Sequence, residues 1–146
     1  MNDTCSSVPL SELMISNSGS IDPRKYPTEN FRLYSIPAYD TQTPENALGK
    51  EIGSAKKKVE QGDVLLSRIV PHIRRCWIVT ENAIASGEWI VFRDKRYFGP
   101  YLRHFLLSDP FHTQFMRTVA GVGGSLLRAR PKQVGYIKAP LPPLDE

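Results

Sequence analysis

Residues 62–79 read GDVLLSRIVPHIRRCWIV, and residues 88–92 read EWIVF. The apolar run Asp63 to Val70 follows a glycine and stops at Pro71, which suits a buried strand better than a short helix. Cys76 to Val79 and Glu88 to Phe92 are rich in β-branched and aromatic residues, so three strands lie close together in sequence and a sheet organises the fold. Upstream, Gln61-Gly62 is a turn, the lysines at 56–58 lead into it as exposed residues, and Gly49 to Ser54 shows no period. Phe31, Leu33 and Ile36 predict a strand over 31–36, interrupted by Pro37. Residues 1–30, with Pro9, Pro23 and Pro27, read as a loosely structured entry whose piece Val8 to Ile15 packs onto the core.

Beyond Gly99 the period changes to that of a helix. Tyr101, Leu102, Phe105 and Leu106 share one face, as do Phe111, Phe115, Met116 and Val119. Between the two helices, Asp109 is a natural N-cap and Pro110 suits the first helical position. The glycines of AGVGGS end the second helix, and a last strand, Gln133 to Ile137, precedes a proline-rich exit at 139–146.

A chain of 146 residues, 40% hydrophobic and 23% charged, is one ordinary domain spanning 1–146. No apolar run approaches the roughly 18 residues of a membrane span. Cys5 and Cys76 fit no metal-ligand spacing and follow no secretory signal, which predicts reduced thiols in the cytoplasm. Twelve prolines and ten glycines exceed what a helical bundle carries and predict many turns between short elements.

The net charge of +4 is unevenly spread: residues 1–55 carry four basic and seven acidic side chains, whereas residues 56–138 carry fifteen basic and six acidic ones. A region this cationic is suited to a polyanion, whose condensed counterions it releases on binding. Enzyme signatures are missing. There is no GxxxxGK[ST] loop, the three histidines fall in different elements, and nuclease-type carboxylate spacing is absent, which predicts no catalytic residue, no metal and no cofactor. The cationic residues instead interleave with turns and aromatics in three places. His72, Arg74 and Arg75 lie in a strand connection, Arg93, Lys95 and Arg96 follow a strand end, and Arg128 and Arg130, with Lys132, follow the glycine run. Lys56, Lys57 and Arg68 complete the candidate set for phosphate and base contacts, arginine being suited to guanine edges and phosphates alike.

SAKKKVEQGDVLLSRIV at 54–70, PHIRR at 71–75, ASGEWIV at 85–91, YLRHFLLS at 101–108, the Gly123-Gly-Ser125 turn and the ending IKAPLPPLDE together resemble the target recognition domain of the specificity subunit of type I restriction-modification systems. The likeness runs from about Val8 to Glu146. It implies an α+β domain with a twisted, partly barrel-like antiparallel sheet, short helices, and loops that enter the DNA major groove. It also implies a non-catalytic role: selecting one half of a bipartite double-stranded DNA site for a methyltransferase (M) subunit, which uses S-adenosylmethionine, and a restriction (R) subunit, which uses ATP. The sequence ends where the family's first spacer helix begins, so an excised domain, a truncated product and a natural half-subunit are all open. The alternative is an adaptor or decoy that holds the methyltransferase or specificity subunits without tight DNA binding, its PLPPL segment preformed for docking. A small nuclease using Asp63 or Glu88 is a third reading.

Overall fold

Continuous apolar sequence within a strand is the mark of a strand covered on both faces. The computed structural model describes residues 6–93, 99–120 and 127–141. In chain order these form β1 (Ser6–Pro9), β2 (Met14–Ile15), β3 (Ser20–Ile21), β4 (Asn30–Tyr34), α1 (Ile36–Tyr39), β5 (Glu45–Leu48), β6 (Lys56–Val59), β7 (Val64–Ser67), β8 (Cys76–Ile78), β9 (Ala83–Ala85) and β10 (Trp89–Phe92). Then come α2 (Gly99–Leu106), α3 (Asp109–Met116), β11 (Val119–Ala120), β12 (Arg128–Ala129), α4 (Pro131–Val134) and β13 (Lys138–Leu141). Single 3-10 turns occupy Leu10–Glu12, Pro23–Lys25 and Gly49–Glu51.

The central layer is a four-stranded antiparallel sheet in the order β2-β10-β7-β8. All residues of β7 and β10 are buried. Because side chains alternate across a strand, Val64 and Leu66 of β7, with Ile90 and Phe92 of β10, meet α2 and α3 through Leu102, Leu106, Phe111 and Phe115. Leu65, Trp89 and Val91 point the other way, into a second core with Tyr34, Val59, Trp77 and Val79. That second core faces a five-stranded sheet, β3-β6-β9-β4-β5, antiparallel except where β4 runs parallel to β9. The outer side of this sheet carries a small third cluster, Phe31, Leu33, Ile52 and Ile84. Trp77 and Trp89 lie with ring centroids 6.1 Å apart at the centre of the second core, and Trp89 Nε1 donates to the Tyr34 carbonyl at 2.8 Å.

The three expected strands are present with shifted ends. β7 stops at Ser67 rather than Val70, because the Ser67 hydroxyl bonds the backbone of Ile69 and Val70 adopts φ 44° ahead of Pro71. A β-branched residue in this left-handed region costs about 1–3 kcal/mol, so the connection is held by its surroundings. The turn before β7 follows expectation: Gly62 has φ 96°, and the amide of Asp63 donates to the Glu60 carbonyl at 3.0 Å. The strand expected over 31–36 ends at Tyr34, because the Ser35 hydroxyl caps the amide of Ala38 and Pro37 sits in the first turn of α1. Likewise Ser108, not Asp109, caps α3 by accepting from the amide of Phe111, and Asp109 is the first helical residue.

Larger corrections concern the ends and the lysines. Residues 56–58 are not a loop; they form β6 between β3 and β9, where Lys56 and Lys57 are half-buried and only Lys58 is exposed. The strand expected over 133–137 is instead α4 followed by a turn, since Pro131 starts a helix and Val134 is drawn into the core. The last strand is β13, taken from the expected exit; it pairs antiparallel with β1, Val8 opposite Ala139. Residues 6–30, expected as a loose entry, carry three short strands, and Leu10 and Leu13 are fully buried. Among the described residues the strands make four open sheets, none closed into a barrel. The Gly123-Gly-Ser125 turn and Cys5 lie outside the described residues.

Cys76 is completely buried beneath α2, and burial pushes its thiol up to about 12. In a Cys5→Ser background, a thiol reagent at pH 8 is expected to label Cys76 only at the rate of global unfolding. Rapid labelling of the folded protein contradicts the packing described.

Candidate nucleic-acid interface

Where β7 ends, the chain meets two other segments. The Arg68 amide donates to the Glu88 carbonyl at 3.1 Å, and the Arg68 carbonyl accepts from the amide of Ala129 at 2.8 Å. This cross-linking carries three sequence-distant cations to one place. Arg68 Nε donates to Glu88 Oε1 at 3.0 Å, and Arg128 Nη2 donates to Glu88 Oε2 at 3.4 Å. Lys57 of β6 donates through Nζ to the Trp89 carbonyl at 2.7 Å. Burial pulls the Lys57 ammonium down from its usual value, nearby Arg68 adds to this, and Glu88 opposes it.

Lys57, Arg68 and Trp89 border a groove of about 670 Å³ whose lining also includes Lys132 and Tyr136. Lys132 is exposed on α4, and Tyr136, in the turn after it, is 65% exposed. A cationic wall with an exposed aromatic ring on the rim joins phosphate attraction to a flat apolar contact. Lys132 belongs to the basic run already visible in the sequence. Tyr136 was not: it falls inside the expected strand at 133–137, and only the helix at 131–134 turns it outward.

The other expected contact residues are distributed differently. In the β7–β8 connection, His72 is exposed and Ile73 is 42% exposed. Arg74 binds Asp109 Oδ1 at 2.6 Å and the Leu107 carbonyl at 3.2 Å, tying this connection to the α2–α3 join. His112 lies near the same cluster, and burial first, then Arg74 and His72, hold its imidazole below the usual value against the pull of Asp109. Arg75 forks onto Asp40 with both bonds at 3.3 Å, its Nη1 buried without a hydrogen bond. Arg93 grips Asp63 through two bonds of 2.7 and 2.8 Å. Arg130 Nε donates to the Thr118 carbonyl at 2.8 Å, and Lys56 Nζ to Ser54 Oγ at 3.0 Å. Lys95 and Arg96 lie outside the described residues. Asp63 and Glu88, the acids of the nuclease reading, are each committed to arginines.

No protein-family model matches the chain, and no curated protein matches it. Solved structures do. One, described as the structural basis underlying complex assembly and conformational transition of the type I R-M system, has a TM-score of 0.79 at 25% identity and matches 96% of this chain and 38% of that one. Another, the HsdS subunit from Thermoanaerobacter tengcongensis, has a TM-score of 0.82 at 24% identity, over 99% of this chain and 39% of that one. The protein therefore spans about two fifths of the length of the chains it matches. Its fold, over nearly every residue, is that of one portion of these larger chains, and the protein is a structural relative of the HsdS specificity subunits of type I restriction-modification systems.

Proposed function

We propose that the protein is a sequence-specific double-stranded DNA-binding module that selects one half-site for a type I restriction-modification complex and performs no chemistry itself. The groove at the end of β7 is the observation that carries this reading, because it gathers Lys57, Arg68 and Lys132 from separate segments around an exposed Tyr136, with Arg128 joined to Arg68 through Glu88. In this reading the groove residues meet phosphates and base edges, while His72 and Ile73 at the tip of the β7–β8 connection approach the duplex as a second contact. In the same reading the two larger sheets, packed together through Trp77 and Trp89, serve as the partly barrel-like body that holds both. The methyltransferase and restriction subunits are the protein partners, and the cytoplasm is the compartment. Among the described residues no helix is long and apolar enough to cross a membrane.

Fluorescence-anisotropy titration with duplex DNA tests this. Each phosphate contact contributes a slope of about −0.9 to log affinity against log salt, so each removed contact weakens binding roughly eightfold at 0.1 M relative to 1 M salt. The Arg128→Ala, Lys132→Ala double variant, which leaves Glu88 paired with Arg68, is therefore expected to bind random-sequence duplex roughly sixtyfold more weakly at 0.1 M salt. Unchanged affinity and slope would remove the groove from the interface.

A further inference from the structure

We propose that Glu88 is a positioning residue for DNA recognition: its carboxylate holds Arg68, which lines the groove, and Arg128 beside it in one fixed arrangement and restrains the groove's attraction for phosphates of any sequence. The inference rests on the DNA-binding reading above. Each carboxylate oxygen takes a different guanidinium, Oε1 from Arg68 and Oε2 from Arg128, although those arginines are far apart in the sequence. The backbone of Glu88 is itself fixed at both ends. Its amide donates to Ser86 Oγ at 3.1 Å, and its carbonyl accepts from the Arg68 amide at 3.1 Å. A shared acid on this rigid turn does two things to the arginines.

It limits their rotation, and a planar guanidinium reads a base edge only when its fork is aligned. It also offsets one positive charge beside a groove lined by Lys57, Arg68 and Lys132, with Arg128 next to it on Glu88. Non-specific affinity follows the number of phosphates neutralised, so an internal carboxylate lowers binding to every sequence alike and leaves the aligned donors to discriminate. All three side chains of this pair of bridges are 30–36% exposed, an environment in which ion pairs add little to stability. Alignment and charge offset are what the arrangement supplies.

Two substitutions separate these effects. Glu88→Gln keeps the shape and removes the charge; Glu88→Asp keeps the charge and shortens the reach by one methylene, so that both guanidiniums are no longer bridged. The unmodified protein and both variants are titrated with random-sequence duplex across several salt concentrations, and the bound fraction of a randomised duplex pool is sequenced. Glu88→Gln is expected to bind the random duplex about eightfold more tightly at 0.1 M salt, with a slope steeper by about 0.9, and to enrich its motif less. Glu88→Asp is expected to keep the original slope while losing enrichment, with thermal melting unchanged in both.

If Glu88→Gln does not fold, Glu88→Asp decides: full enrichment overturns the proposal. Original slope and enrichment in Glu88→Gln also overturn it, while leaving the DNA-binding reading intact. An unmodified protein that binds no duplex overturns that reading, and this inference with it. One that binds duplex but enriches no motif overturns the half-site reading and the selecting role of Glu88.

Discussion

Replacing Trp89 by alanine is expected to remove most or all of the protein's stability. Trp89 is 0% exposed and sits where the two larger sheets face each other, against Trp77 and Tyr39. Deleting a buried aromatic side chain costs about 3–5 kcal/mol, through lost burial and the cavity left behind. The Tyr34 carbonyl also loses the indole donor while keeping the Ser86 amide at 3.1 Å, and the lost hydrogen bond adds about 0.5–1.5 kcal/mol. Together these approach the 5–15 kcal/mol that typically separates folded from unfolded domains. Trp89→Phe keeps a ring in the core and loses mainly the hydrogen bond, so it is expected to fold with a lower Tm. Urea unfolding followed by far-UV circular dichroism orders the three proteins. A Trp89→Ala protein that melts within a few degrees of the original contradicts the packing of the two sheets.

Arg93→Met is expected to cost about 3–5 kcal/mol of stability, because it leaves the Asp63 carboxylate charged and buried without its partner. Asp63 is 1% exposed and accepts two bonds from Arg93, with a further one from the amide of Glu60. Adding Asp63→Asn keeps an acceptor for the Glu60 amide and removes the orphaned charge, and the double variant is expected to recover part of the loss. Chemical unfolding of the single and double variants measures this coupling directly. DNA titration of Arg93→Met under folded conditions supplies the complementary test. A protein of unchanged stability with weakened DNA binding would make Arg93 a contact residue and its pairing with Asp63 incidental.

Arg93 shows why charge in a sequence is an incomplete guide to a binding surface. Following a strand end, it has the same local setting as Arg68, which borders the groove. The difference is the burial of the acid: Asp63, thirty positions earlier, is folded beneath Arg93 by the register of β7 against β10, whereas Glu88, which pairs with Arg68, is partly exposed. Arg74 and Arg75 are similar: their acids, Asp109 and Asp40, lie on elements that no spacing rule connects to residues 71–75. Glu88 is the converse case. As a residue at a strand start it carries no signal of its own, and it acquires one only because Arg68 and Arg128 converge on it.

The amino-acid sequence by itself determined the strands at the centre of the fold, the turn at Gln61-Gly62, the two amphipathic helices and the cationic character of residues 56–138. These depend on local periodicity, on turn residues and on charge, all of which act over a few positions. The order of its motifs also carried the likeness to type I specificity subunits, which the solved structures bear out in fold. Tertiary structure alone decided that the lysines at 56–58 form a strand, that residues 138–141 return to pair with the first strand, and that Tyr136 faces outward. It also decided which acid each of these arginines meets and which cations surround a groove. Strand pairing and ion pairing join residues tens of positions apart, and their energies depend on which partners the folded chain brings within a few ångströms.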